Sequence, residues 1–223
     1  MQTFWNKSMA ISEDTQNRLL DAAGQVFAEK GFRGATVREI LRRAEISNQA
    51  AVNYYFRDKE QLYKASLRHA FRCRLSQMPL PQWPAGTPGV VKLREFIGNV
   101  VTAMVDDRLM PWQMQLLVRE LSQPTEAGEE LVRDFIRPIY QVLWGILREV
   151  LPPDTPEVKL HLTAFSIVGQ CFYFRVARHV IAFVAGPDEA RGYNAPFLAE
   201  HVAQFSLAAL GLADPRPERE EKS

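Results

Sequence analysis

Residues 36–59 read TVREILRRAEISNQAAVNYYFRDK. Thr36 stands three residues before Glu39, the spacing of a capping box, in which two side chains satisfy backbone N–H groups at a helix start. That helix ends at Ala44-Glu45-Ile46, and Ser47 or Asn48 is placed to cap a short second helix over 49–55. Asp58 then caps a third helix, with Gln61 three residues on and Lys59 in its first turn. Two short helices across a tight turn, followed at once by a capped third, form a helix-turn-helix reader of double-stranded DNA. Ala50 and Ala51 are small enough to let the middle helix approach a major groove, and Gln49 and Asn53 carry amides that match adenine. Val52 is expected to pack inward with Ile40 and Phe56. The N–H groups and positive dipole end of the third helix, with the charge of Lys59 beside them, make a seat for phosphate.

Upstream and downstream residues extend the pattern. The segments LLDAAGQVFAEKGFRGATVREI (19–40) and AAVNYYFRDKEQLY (50–63) resemble the N-terminal domain of the TetR family of transcriptional regulators, and the resemblance covers residues 12–75. It implies that Thr36 and Lys59 meet phosphates at two helix N-termini. It further implies that Gln49, Ala50, Ala51 and Asn53 face base edges, that Tyr55 reaches the DNA backbone, and that Arg38, Asn48 and Tyr54 belong to the same surface. The sequence departs from the family where Glu45 replaces the usual turn Gly, where Asn53 replaces Tyr, and in a turn one residue longer. The stretch LLVRELSQPTEAG (116–128), within residues 111–184, resembles the C-terminal domain of the branch containing CecR-like regulators.

The whole chain carries +1, but the charge is divided. Residues 1–80 hold 13 Lys/Arg against 8 Asp/Glu, a net +5, and the remainder holds 14 against 18, a net −4. The basic excess lies with the DNA motif, as attraction to phosphate requires. With 47% hydrophobic and 24% charged residues in 223, the composition is that of an ordinary globular protein of one or two domains.

Nearly every periodic segment is helical, so the expected fold is all-α: a three-helix DNA-binding domain followed by a helical ligand-binding and dimerisation domain. Residues 1–11 read as a flexible arm. The DNA-binding domain is expected over 12–78, with a first helix over 13–30 stopped by Gly31. PLPQWPAGTPG (79–89) has four prolines and two glycines and reads as a linker. The second domain is expected over 90–212, with helices at about 90–105, 111–123, 126–151, 157–184 and 196–210. Pro138 is expected to kink the third of these. The tail 213–223, DPRPEREEKS after Ala213, reads as charged and disordered.

The C-terminal half contains no Gly-rich phosphate loop, no GxSxG and no HExxH, so the chain is expected not to be an enzyme and to need no cofactor. Its four histidines and two cysteines show no metal-ligand spacing, and no metal is expected. Cys73 and Cys171 read as free thiols. The longest apolar stretch, 165–184, is interrupted by Gln170, Arg175, Arg178 and His179, too polar for a membrane span. With no signal-peptide core at the N-terminus, a cytoplasmic protein without a membrane partner is expected.

The same half is rich in aromatic and Met residues, most of them core. A pocket for an unidentified small-molecule effector is expected among Met104, Trp112, Gln113, Trp144, Gln170, Phe174 and Arg175, with Arg175 either its anion partner or part of an intersubunit salt bridge. Small and apolar residues on more than one face of the last two long helices fit a homodimer interface of two helices from each subunit. A two-fold dimer implies a pseudo-palindromic operator, and the family resemblance implies repression released by the effector. An activator, or a regulator controlled by a protein partner without a pocket, is the alternative.

Overall fold

The computed structural model describes residues 2–77, 81–105 and 111–212. Among these residues there is no strand; the helices are α1 (Gln2–Gly34), α2 (Val37–Arg43), α3 (Ala51–Phe56), α4 (Lys59–Gln77), α5 (Gly89–Val105), α6 (Pro111–Ser122), α7 (Ala127–Leu131), α8 (Arg137–Val150), α9 (Glu157–Val176), α10 (Arg178–Ala185), α11 (Pro187–Ala190) and α12 (Ala195–Ala209). The expected all-α fold holds.

The chain divides into two compact units, 1–77 with 110–135, and 78–109 with 136–223. This division differs from the boundaries read in the sequence: α6 and α7, assigned there to the second domain, pack on α1 and α4 of the first unit. The cause is the apolar face of α6. Met114, Leu116 and Leu117 are buried with Leu19, Ala23, Val26 and Phe27 of α1 and Leu62, Leu67 and Phe71 of α4, so the three-helix motif gains a wider core than its own short helices supply. The ring of Trp112 lies directly on the α1 backbone at Gly24, where a Cβ would stand 2.0 Å from it.

In the second unit α5 is central, in contact with α8, α9 and α12. Its residues Leu93, Phe96, Ile97, Val100 and Val101 repeat at helical spacing. They meet Leu143 and Leu147 of α8, Ala164 and Ile167 of α9, and Val202 and Leu207 of α12 in one core. Arg94 and Glu200 pair at 2.9 Å between α5 and α12.

Several elements depart from expectation. Residues 2–11, expected as an arm, continue α1 as helix; no Pro or Gly interrupts 2–23. The kink expected at Pro138 takes the form of a π-helical turn over Val132–Ile136 just ahead of it, because Pro138 offers no N–H to the preceding turn. The helix expected over 157–184 is broken at Ala177, where α9 and α10 meet at a 76° bend. Neither Gly nor Pro marks that break. The expected tail 213–223 and residues 79–80 of the linker lie outside the described residues.

Candidate nucleic-acid interface and regulatory cavity

Two of the three helix starts of the helix-turn-helix carry the caps read in the sequence, and α3 starts without a side-chain cap. Thr36 Oγ1 accepts the Glu39 N–H at 3.2 Å, but the Glu39 carboxylate turns to Lys30 at 2.6 Å instead of returning to the Thr36 backbone. The expected capping box is therefore half made. The cap expected from Ser47 or Asn48 does not form: α3 starts after Ala50, and Asn48 Oδ1 accepts from Ala50 N–H at 2.9 Å within the turn. Asp58 Oδ1 accepts from Gln61 N–H at 2.8 Å at the start of α4.

Between α2 and α3, Glu45 adopts φ 55, the left-handed conformation for which glycine is best suited. Arg18 of α1 donates to the Ala44 carbonyl at 2.7 Å and to the Glu45 carbonyl at 3.4 Å, placing a charge-assisted donor on the strained turn. This clamp was missed in the sequence, since nothing in a local spacing ties residue 18 to residue 44. Arg43 and Glu29 form a two-point ion pair at 2.6 and 2.9 Å, which lowers the Glu29 carboxyl pKa and steadies the end of α2 on α1.

Thr36, Arg38, Asn48, Gln49, Ala50 and Asn53 are exposed, and Tyr54 is exposed at 79%. Tyr55 is half-buried and meets Tyr54 edge-on at 4.8 Å. Ala51, expected to face base edges, is only 5% exposed and faces the core with Val52, Ile40 and Phe56, in a helix that begins at Ala51, two residues later than expected. The outer face of α3 is left to Asn53 and Tyr54, with Gln49 and Ala50 leading into it. The Lys59 ammonium lies 4.7 Å above the centre of the Phe32 ring. This cation–π contact holds it beside the start of α4, and burial lowers its pKa.

The residues expected around one effector do not come together. Trp112 packs on Gly24 and stacks with His69 in the first unit, and Gln113 belongs to that unit too, its buried carbonyl oxygen without a hydrogen-bond partner among the described residues. In the second unit Met104 packs against the core. Trp144 joins Tyr140, His161 and Phe165 in an aromatic group, and Gln170 donates to the Ser166 carbonyl at 3.3 Å. Phe174 and Arg175 do line a cavity of about 230 Å³, with Arg178, Ile181, Tyr193 and Leu198 among its walls. Arg178 and Tyr193 were not foreseen, because the bend at Ala177 that brings α10 over this cavity has no sequence signal.

The outer faces of α9 and α12 are apolar and exposed: Leu162 61%, Phe165 59% and Tyr173 53% on α9, Phe197 57% and Phe205 58% on α12. Among the described residues no single helix is long and apolar enough to cross a membrane, and no group of three or more His, Cys, Asp or Glu is placed to hold a metal ion.

A helix-turn-helix with an exposed polar face on α3, in a chain whose second unit is also helical, defines a DNA-binding transcriptional regulator. Residues 19–66 match the bacterial regulatory proteins of the tetR family, and residues 90–210 match the C-terminal domain of the HTH-type transcriptional dual regulator CecR. The chain belongs to the TetR family of transcriptional regulators, with a C-terminal half of the CecR type. It is 27% identical over 199 residues to the dual regulator CecR of Shigella flexneri, covering 81% of this chain and 85% of that one. It is 25% identical over 146 residues to the regulator BetI of Burkholderia thailandensis, covering 65% and 73%. A solved structure of a tetR-family regulatory protein from Rhodococcus RHA1 superposes with a TM-score of 0.64 at 20% identity, covering 90% of this chain and 98% of that one. That likeness is one of fold.

Proposed function

We propose that this regulator works as a homodimer on a pseudo-palindromic operator, represses from it, and is released when a small molecule enters the second unit. The observation that carries the dimer is the pair of apolar outer faces on α9 and α12, where Phe165, Tyr173, Phe197 and Phe205 each leave more than half their surface in water. A single helix pair exposing that many large rings is stabilised by burying them against a copy of itself. A two-fold dimer then sets two α3 helices on successive turns of B-DNA, which selects an inverted repeat. The residues proposed to read it are Gln49, Ala50, Asn53 and Tyr54, with Thr36, Arg38, Asn48, Tyr55 and Lys59 on the phosphates and the neighbouring surface.

Release rests on the cavity beside Phe174 and Arg175. A ligand that prefers one arrangement of α9 and α10 changes operator affinity only by its differential affinity for the two arrangements, and the effect is reciprocal. A second reading concerns the sign of regulation. The CecR relative is a dual regulator, and an output of both activation and repression fits this chain equally well in its geometry.

The test is selection of bound sequences from random duplex DNA, run beside sedimentation of the free protein and of Phe205→Asp. An inverted-repeat motif, a dimer mass, and loss of both in the variant are the expected results. A motif without symmetry, or a dimer indifferent to Phe205→Asp, would overturn the reading.

A further inference from the structure

A second and larger cavity, about 540 Å³, opens in the first unit between the end of α1, the first turns of α4 and the loop joining α6 to α7. It shares no residue with the proposed DNA-reading surface, although its Phe32 ring carries the Lys59 ammonium at 4.7 Å. Part of its wall is apolar, from Phe32, Tyr63, Pro124 and Ala127. Its charged groups are Lys30, Arg33, Lys64 and Arg119 against Glu60 and Glu126, an excess of two positive charges. Lys30 and Lys64 are each matched by a carboxylate, Glu39 at 2.6 Å and Glu60 at 2.9 Å.

Arg119 is different. Its Nε donates to the Ala28 carbonyl at 3.1 Å and its Nη2 to the Glu29 carbonyl at 3.2 Å, which fixes the guanidinium against the end of α1. The remaining nitrogen, Nη1, lies over Gly31, where a Cβ would stand 3.0 Å from it. Gly31 has φ +73, so both the backbone conformation and the close approach call for glycine there. Neither of those two bonds uses Nη1, and the exposed Arg33 lines the same cavity.

A guanidinium oriented in advance by backbone carbonyls loses little entropy on taking an anion and is suited to carboxylate or phosphate. Beside it, aromatic and aliphatic walls suit a flat apolar body. The geometry points to a second effector site in the DNA-reading unit, one that takes a small organic anion, with its acid group on Arg119 and Arg33 and its apolar body on Phe32 and Pro124. An occupant would press on the α6–α7 loop and on α4 together, and so act on the helix-turn-helix without passing through the second unit.

The test follows backbone amide NMR signals of the full chain titrated with naphthalene carboxylate, with naphthol as the uncharged counterpart. Saturable shifts at Gly31, Arg33 and Thr125 are expected for the carboxylate, with binding about ten-fold weaker for naphthol, as loss of a charge-assisted contact implies. Arg33→Glu should weaken the carboxylate by about as much, and Gln123→Trp, which adds a bulky ring to the cavity lining, should abolish the shifts. Equal binding of naphthol, indifference to Arg33→Glu, or shifts confined to the amides around Phe174 and Arg178 would each overturn the proposal.

Discussion

The Tyr63 hydroxyl donates to the Glu120 carboxylate at 2.6 Å inside the first unit, joining α4 to α6 across 57 positions of sequence. Glu120 is 1% exposed, and its other oxygen accepts from the Thr125 N–H at 2.8 Å and the Thr125 hydroxyl at 2.9 Å. Burial, and then the hydrogen bond to Glu120, push the Tyr63 pKa far up, so the phenol stays protonated and remains a donor. Replacing Tyr63 with Phe would leave a buried carboxylate oxygen short of one donor. The expected cost is about 1–3 kcal/mol of unfolding free energy, read from urea denaturation with an unchanged slope. A midpoint equal to that of the parent protein would show that this bond adds nothing net.

Gly24 and Trp112 make a sharper demand. A Cβ at residue 24 would stand 2.0 Å from the Trp112 ring, well inside contact distance, and the ring is backed by His69 stacked at 6.3 Å. Gly24→Ala should therefore destabilise by about 1–3 kcal/mol through overpacking, although alanine is the better helix former by about 1 kcal/mol. The pair Gly24→Ala, Trp112→Leu should recover part of the loss. Thermal unfolding of the two variants decides it, and a stabilised Gly24→Ala would show that the ring shifts freely.

Glu45 carries the opposite prediction. Its φ of 55 costs a side-chain-bearing residue about 1 kcal/mol or more, part of which glycine would return as greater freedom in the unfolded chain. Glu45→Gly is expected to stabilise by up to about 1 kcal/mol, and Glu45→Val, β-branched, to destabilise. Denaturation midpoints in the order Gly, Glu, Val are the expected result.

How far the sequence could carry these conclusions is visible in the same residues. Caps are local, so Thr36 and Asp58 announce two helix starts, and the repeat of apolar residues announces α5 and α12. Long-range contacts are not local. Nothing near Tyr63 points to Glu120, nothing near Gly24 points to Trp112, and α6 reads as part of the second domain until its apolar face is seen against α1. The same limit explains why the sequence alone places Trp112 and Gln113 in one pocket with Phe174 and Arg175. Periodicity identifies which residues turn inward, but it does not say into which core. The break at Ala177 was illegible for a different reason: it is a tertiary choice made without a helix-breaking residue.

Cys171 is buried in the α5–α9 core, and its thiol donates to the Ile167 carbonyl at 3.3 Å. Burial pushes its pKa up to about 12 from an ordinary 9.0. Because the folded state keeps the proton longer than the unfolded chain, this group's contribution to stability is full below about 9 and is lost as pH rises toward 12. In the native protein at pH near 8, iodoacetamide should react with the half-buried Cys73 before Cys171. Burial also raises the Cys73 pKa, so even that reaction should be slower than with a free thiol. Mass spectrometry of labelled peptides checks the order, and first labelling at Cys171 would refute it.

Lys59 and Asn53 should fail in different ways once an operator is in hand. Lys59 sits at the start of α4 with its ammonium over Phe32, and its proposed role is to meet phosphate rather than a base. Lys59→Ala should weaken binding to every DNA sequence by a similar factor and reduce the salt slope by about 0.9. Phe32→Leu should do the same more weakly, since it removes the ring that holds the charge while leaving the charge itself. Asn53, exposed on the outer face of α3, should instead leave the salt slope alone when changed to Ala, and relax the preference at one base pair of each half-site by about 1–3 kcal/mol. Fluorescence anisotropy on operator and scrambled duplexes at several salt concentrations separates the two patterns. If Asn53→Ala lowered affinity for both duplexes equally, residue 53 would be a backbone contact, and the reading of bases would pass to Gln49, Ala50 and Tyr54.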